Sequence, residues 1–188
     1  MNRSAVVNLA SMLVLAGGGL AQTANAATQV VTFNVLNASA TLGSPFDGGD
    51  NLRLNTLVTS EVGSLVQSIT FTVGPDVGSL VGEAAWEVSS STGTGPRLVG
   101  VNIDIFDASN TLVTSDSFQG VLGGFAVSTF ASAIGPGTYR IVATGTAERE
   151  ASLDATLSFV NVVPEPQTLM LMFAGLGVIG YIAARRRG

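Results

Sequence analysis

Short runs along most of this chain place an apolar side chain at every second position. Ile69, Phe71 and Val73 alternate with Ser68, Thr70 and Thr72. Val99, Val101, Ile103 and Ile105 alternate with Gly100, Asn102 and Asp104, and Leu153, Ala155, Leu157 and Phe159 with Asp154, Thr156 and Ser158. A period of two puts one face of a strand on a core and the other in water. Residues 28–36, 52–59, 83–89, 111–118, 125–130 and 138–146 predict further strands, most of them carrying β-branched or aromatic residues. Turn residues separate the runs: Ser44 to Asp50, Gly74-Pro75-Asp76-Val77-Gly78, Asp107 to Asn110 as a hairpin tip, and Gly135-Pro136-Gly137. Eight or nine such strands predict an all-β ectodomain, an antiparallel β-sandwich or jelly roll, with a barrel as the rival. No internal repeat of fixed period supports a solenoid.

The two ends read differently. Arg3 opens a short positive region, Ala5 to Ala16 is mostly apolar, and Gly17 to Gly19 break it. Ala24-Asn25-Ala26 then offers small residues at both positions a signal peptidase reads, which predicts a signal peptide over 1–26 cleaved after Ala26. At the other end, the sixteen residues Leu169 to Ala184 carry no charge. As a helix they span about 24 Å, slightly less than a hydrocarbon core of about 30 Å. Snorkelling arginines can cover the difference. Helix is the form such a segment takes in lipid, where backbone polar groups have no other partner. Arg185, Arg186 and Arg187 follow and predict a cytoplasmic C-terminal end, leaving the preceding domain outside.

Pro164-Glu165-Pro166, the apolar run and the arginine cluster occur in that order within residues 163–188. This arrangement resembles the PEP-CTERM sorting signal of bacterial exosortase substrates. The resemblance implies processing near Pro164, Glu165 and Pro166 by an exosortase-like membrane enzyme, then residence at the cell surface or in an exopolysaccharide matrix. The two prolines favour an extended motif suited to a protease groove, and Glu165 offers its single charge. Ile103-Asp104-Ile105-Phe106-Asp107 at a hairpin, Gly135-Pro136-Gly137-Thr138-Tyr139 at a strand start and Gly145-Thr146-Ala147 before a final strand make the segment from Ile103 to Phe159 resemble the small β-rich ectodomains of FxDxF-type PEP-CTERM proteins, although no literal Phe-x-Asp-x-Phe occurs.

Between the ends lie residues 27–163, one domain of 137 residues, with 164–188 as the sorting signal. Four arginines against twelve acids give this domain a net charge of −8, a surface that repels nucleic acid. Cysteine and histidine are absent, and all eight basic residues of the chain are arginine. Without His or Cys there is no Ser-His-Asp or Cys-His chemistry and no ordinary zinc or copper ligand. Without Lys there is no Schiff base and no P-loop. The domain is expected to fold as a disulfide-free, metal-free monomer around several of Phe33, Phe71, Phe106, Phe118, Phe125, Phe130 and Phe159.

Carboxylate chemistry remains. Glu83 and Glu87, four residues apart on one strand, are about 13 Å apart, too far for glycoside hydrolysis. Glu148 and Glu150, about 7 Å apart on a strand, flank Arg149 at a hairpin tip and read as a solvated turn. Asp104 could find a second acid across the sheet. Asp47-Gly48-Gly49-Asp50 could curl around calcium, but two carboxylates are few and the loop reads as a Gly-rich turn, with Asp47 and Asp50 as weak metal candidates. Asp104 and Asp107 could add ligands only if the fold brings them close. Trp86 reads as core; an exposed Trp86 would suit sugar stacking. Tyr139 reads as a core or corner residue.

The reading that follows is an exported, non-enzymatic β-sandwich protein with no cofactor. Its expected partners are signal peptidase, the membrane, an exosortase-like enzyme and extracellular polysaccharide. The alternative is a carbohydrate-binding or adhesion module. Ice binding, a property of some proteins with such tails, would want a regular Thr array that is absent here. An enzyme of the carboxylate type comes last.

Overall fold

The computed structural model describes residues 26–89 and 94–162. Most of the expected signal peptide and the whole of 164–188, with the apolar segment and its arginines, lie outside the described residues. No described helix is long and apolar enough to cross a membrane.

Eleven strands form two sheets among the described residues: β1 Thr28–Phe33, β2 Asn37–Thr41, β3 Asn51–Val58, β4 Gly63–Val73, β5 Val77–Glu87, β6 Leu98–Asp107, β7 Leu112–Ser115, β8 Ser117–Leu122, β9 Phe125–Ala133, β10 Gly137–Ala147 and β11 Ala151–Asn161. The six-stranded sheet has the order β1-β3-β11-β5-β9-β8 and the five-stranded sheet β2-β4-β10-β6-β7. Two open sheets face each other across one core, which is a sandwich rather than a closed barrel.

The core follows the alternation. Leu52, Leu54 and Val58 of β3, and Ala151, Leu153, Ala155, Leu157 and Phe159 of β11, point inward from one sheet. Leu65, Ile69, Phe71 and Val73 of β4, with Ile141 and Ala143 of β10, meet them from the other. Three polar side chains are buried among the described residues, Thr56, Gln67 and Ser128; the Ser128 hydroxyl has no hydrogen-bond partner, while the other two satisfy each other. Thr56 donates to Gln67 Oε1 at 2.5 Å, and Gln67 Nε2 donates to the Val35 carbonyl at 2.8 Å. Pairing matters here because a buried amide without a partner costs about 1–3 kcal/mol.

Several expectations need correction. Two pairings are parallel, β1 with β3 and β2 with β4; the rest are antiparallel. The chain passes from one sheet to the other between Phe33 and Asn37, so the expected strand 28–36 ends at Phe33, residues 34–36 are bends, and β2 starts on the edge of the other sheet at Asn37. The expected strand 111–118 is likewise split. Asp116 turns the chain between sheets, its N–H donating to the Ile103 carbonyl at 2.9 Å while its carboxylate accepts the Ile103 N–H at 2.8 Å.

Val99 to Ile105 do not share one face. The β6–β10 register gains a residue between Val99 and Asn102, and Gly100 lies at φ 59°. This bulge turns Leu98 and Ile103 both inward and leaves Val99 and Val101 half-buried.

The aromatic set shifts too. Phe33, Phe71, Phe130 and Phe159 are buried, but Phe118 and Phe125 are exposed and Phe106 lies under the Arg140 guanidinium. Phe46, from the loop expected to be a plain turn, is fully buried. Its ring stacks on Phe159 at 4.6 Å and meets Phe71 edge-on at 6.0 Å. Phe130 lies over Gly82, where an added Cβ would fall 2.1 Å from its ring. Trp86 is buried against Phe118, at 6.4 Å between rings. Tyr139 serves as a corner, donating to the Gly135 carbonyl at 2.9 Å and stacking on Phe71.

Phe71→Ala should destabilise the domain by about 3–5 kcal/mol, a large part of a stability of about 5–15. Phe118→Ala, on the exposed edge, should lose about 1 kcal/mol or less. Urea unfolding of the two variants checks the contrast. Equal losses would mean that the inward and outward faces are wrongly assigned.

Candidate functional site

One pole of the sandwich gathers the two ends of the described domain and three loop carboxylates. Phe46 is pinned there by its N–H donating to the Thr72 carbonyl at 2.8 Å and its carbonyl accepting from Gly74 at 2.8 Å. The next residues are thereby laid across the end of β11: Gly49 N–H donates to Phe159 O at 2.7 Å, and Phe159 N–H to Asp50 O at 3.0 Å. Gly48 packs so closely on Asn161 that an added Cβ would overlap its side chain.

Asp47 and Asp50 thus come together as the sequence suggested, and Asp76 of the β4–β5 turn joins them. Both Asp50 oxygens accept backbone N–H bonds, from Ala27 at 2.7 Å and Asp47 at 2.9 Å. Asp76 Oδ2 accepts from Gly48 N–H at 3.0 Å. The Asp47 carboxyl is held above the ordinary carboxylate range by partial desolvation, then by the charges of Asp76 and Asp50 and a hydrogen bond with Asp76. Asp47 as a whole is exposed, but its Oδ1 lies against Gly74. The carboxylates cap loop N–H groups, and no group of three or more His, Cys, Asp or Glu among the described residues is placed to hold a metal.

Both ends of the domain emerge at this pole. Ala27, just before β1, accepts Asn51 N–H at 2.8 Å. Val162, just after β11, donates to Asp76 O at 2.7 Å. Of the expected processing residues, Ala26 is described and exposed. Ala24, Pro164, Glu165, Pro166, Arg185, Arg186 and Arg187 lie outside the described residues. The chain enters that last segment from β11, which pairs with β3 on one side and β5 on the other.

Several other acids are engaged locally. Glu148 pairs with Arg97 at 2.8 Å at the β10–β11 tip. Asp107 accepts Ser109 and Thr111 N–H groups at 2.8 and 2.9 Å and closes the β6–β7 hairpin, with Asn110 at φ 60°. Asp104 accepts from Asn102 Nδ2 at 2.6 Å and from the Ser115 hydroxyl. The hairpin was legible in Asp-Ala-Ser-Asn; the role of Asp76 was not, because nothing in the sequence links it to residues 47–50.

Two surfaces remain. The outer face of the six-stranded sheet aligns Arg53, Thr156, Glu83, Thr129 and Ser117 in one cross-strand row. Arg53 Nε donates to Asp154 at 2.7 Å on this face, beside a shallow depression of about 250 Å³ bordered by Glu83, Asp154 and Thr156. At the β8 edge an apolar groove of about 310 Å³ is lined by Trp86, Val88, Val101, Phe118, Val121 and Ala126.

A carboxylate whose folded pKa is raised costs stability when ionised. The cost is present above the folded pKa and gone below the unfolded value of about 3.9. Asp47→Asn should therefore melt slightly above wild type at pH 7, and the gain should vanish near about pH 3. A variant that melts lower by the same margin at both pH values would remove repulsion as the cause.

The PEP-CTERM protein-sorting motif matches residues 162–187. The match begins at the last described residue and does not reach the segment resembling the FxDxF-type ectodomains. No curated protein matches the chain. Among solved structures, the pre-peptidase C-terminal domain of a collagenase from Bacillus anthracis is similar at 11% identity over 72% of this chain and 97% of that one, with a TM-score of 0.32.

Proposed function

We propose that this chain is an exported, non-enzymatic sandwich protein that its C-terminal signal delivers to the cell surface or an exopolysaccharide matrix. The observation that carries this is the sorting motif at 162–187, joined directly to the strand that ends at Asn161. In this reading signal peptidase removes residues 1–26. The apolar segment then holds the protein in the membrane, and an exosortase-like enzyme cuts near Pro164, Glu165 and Pro166.

The geometry supports presentation of that motif. Only residues 163–168 separate the sandwich from the apolar run, a tether of about 20 Å when extended. The pole that faces the bilayer carries Asp47, Asp50 and Asp76. A non-enzymatic role is supported by the residue types of the chain, which lack His, Cys and Lys.

The test follows the mature mass in the native host. Wild type should lose the C-terminal segment, and a variant with Pro164, Glu165 and Pro166 all replaced by Ala should keep it. Wild type that retains its tail would sink the processing reading.

Polysaccharide binding is the second reading. The buried Trp86 offers no stacking platform, but the hydroxyl- and carboxylate-bearing row of the six-stranded sheet could hydrogen-bond sugar hydroxyls. Retention on immobilised host polysaccharide that weakens in Glu83→Ala and Thr156→Val would favour it; no retention would exclude it.

A further inference from the structure

Among the described residues, the first with a hydrogen bond to the sandwich is Ala27, which is also the first residue left by the expected signal cleavage. Ala27 N–H donates to Asp50 Oδ1 at 2.7 Å, and Ala27 O accepts Asn51 N–H at 2.8 Å. Ala26, one residue earlier, is exposed. Two independent readings therefore meet at one bond. The Ala24-Asn25-Ala26 pattern places the scissile bond after Ala26, and the structure places the next nitrogen against a carboxylate.

We propose that signal cleavage makes Ala27 a built-in counter-ion of the acidic pole: its new α-ammonium pairs with Asp50 and locks the chain end onto the sandwich. The proposal rests on the export reading, since cleavage after Ala26 belongs to it. Water adds across the Ala26–Ala27 peptide bond, the C–N bond breaks, and the products are the Ala26 carboxylate and the Ala27 ammonium. Cleavage during export precedes folding, so the ammonium is present when β1 docks.

The same nitrogen that donates as a neutral amide in the precursor then donates as a cation. Charge-assisted hydrogen bonds are roughly twice as strong as neutral ones. The titratable groups about this end of the chain are Asp47 and Asp50 of the loop and Asp76 of the β4–β5 turn; the nearest arginine along β3, Arg53, is engaged with Asp154. Asp47 lies under the repulsion of Asp50 and Asp76, which a cation at Ala27 offsets. The three acids, unexplained as a metal site, become a receptor for the chain's own terminus. One added residue at the N-terminus would restore an amide at Ala27 and carry the charge away by about one Cα step of 3.8 Å.

The composition supplies a clean test. With no Lys in the chain, the α-ammonium is the sole aliphatic amine of the mature protein. The full chain is exported with its own signal from a bacterial host and purified in detergent. N-terminal sequencing should begin at Ala27; any other first residue overturns the proposal at its premise and the cleavage reading with it. Acetic anhydride followed by hydroxylamine, which removes any ester formed on the two tyrosines, then leaves that amine acetylated, without its charge but with an N–H to donate.

Melting is compared before and after acetylation across pH. The folded α-amine pKa should lie above its ordinary range of about 7.7–8.0. A raised pKa means the stabilisation is complete below the unfolded value and is lost as pH rises through the folded one. Acetylation should therefore lower Tm by a few degrees at pH 6–7, and the gap should close above about pH 10. In Asp50→Asn the acetylation effect should disappear. If that variant does not fold, the pH at which the amine of wild type reacts with the anhydride, read folded and in denaturant, still decides. An Ala27 start with equal folded and unfolded amine pKa values, or with no loss of Tm on acetylation, overturns the pairing while leaving the export reading intact.

Discussion

Burial of Phe46 is the constraint on which one end of the molecule depends. A single ring from an otherwise polar loop fills the mouth between the sheets, stacked on Phe159 and edge-on to Phe71. Burying such a ring contributes about 1.5–3 kcal/mol beyond leaving it exposed, and aromatic pairs add about 0.5–1.5 each. That is enough to fix a loop of glycines and acids that has little structure of its own. Once Phe46 is seated, Gly48 has nowhere to go but against Asn161, and the Asp47–Asp50 turn is held over the ends of β1 and β11. The pole, its charge and the exits of both chain ends follow from one side chain.

The sequence was most informative where alternation ran uninterrupted. β4, β10 and β11 occupy the sandwich interior, with the faces that Ile69-Phe71-Val73 and Leu153 to Phe159 announced. It was least informative where the chain changes sheet. Residues 28–36 and 111–118 each look like one strand, because a crossover can retain strand-forming residues; the distinction lies in partners such as Gln67 and Ile103 that are distant in sequence. The bulge at Gly100 had a visible signal, a glycine inside a strand pattern. Phe46 had none beyond its own hydrophobicity, since Ser-Pro-Phe-Asp-Gly reads as a turn whether or not its ring is buried. At the site, the Asp47–Asp50 pair was visible, and the third acid was not, because Asp76 arrives from another turn.

The missing lysines have a structural counterpart. The edge strands β1, β2, β7 and β8 carry no charged residue, although charges commonly protect exposed edges from pairing with another chain. Geometry takes over part of that task. β2 and β7 are short, and β8 is interrupted between Phe118 and Gly120, with Gly120 at φ 128°. The apolar groove beside β8 keeps Phe118 exposed at this same edge.

β11 lies between β3 and β5 and leads straight into residue 163. A pull transmitted from beyond that point runs along the strand axis. It loads the hydrogen bonds on both flanks together, in shear, instead of opening them one at a time as peeling an edge strand would. Rupture then requires many bonds to fail at once, and resistance to force is set by the unfolding rate rather than by equilibrium stability. An arrangement that would be unremarkable in a free domain would thus suit a domain loaded through its C-terminal end, where tension enters through the last strand.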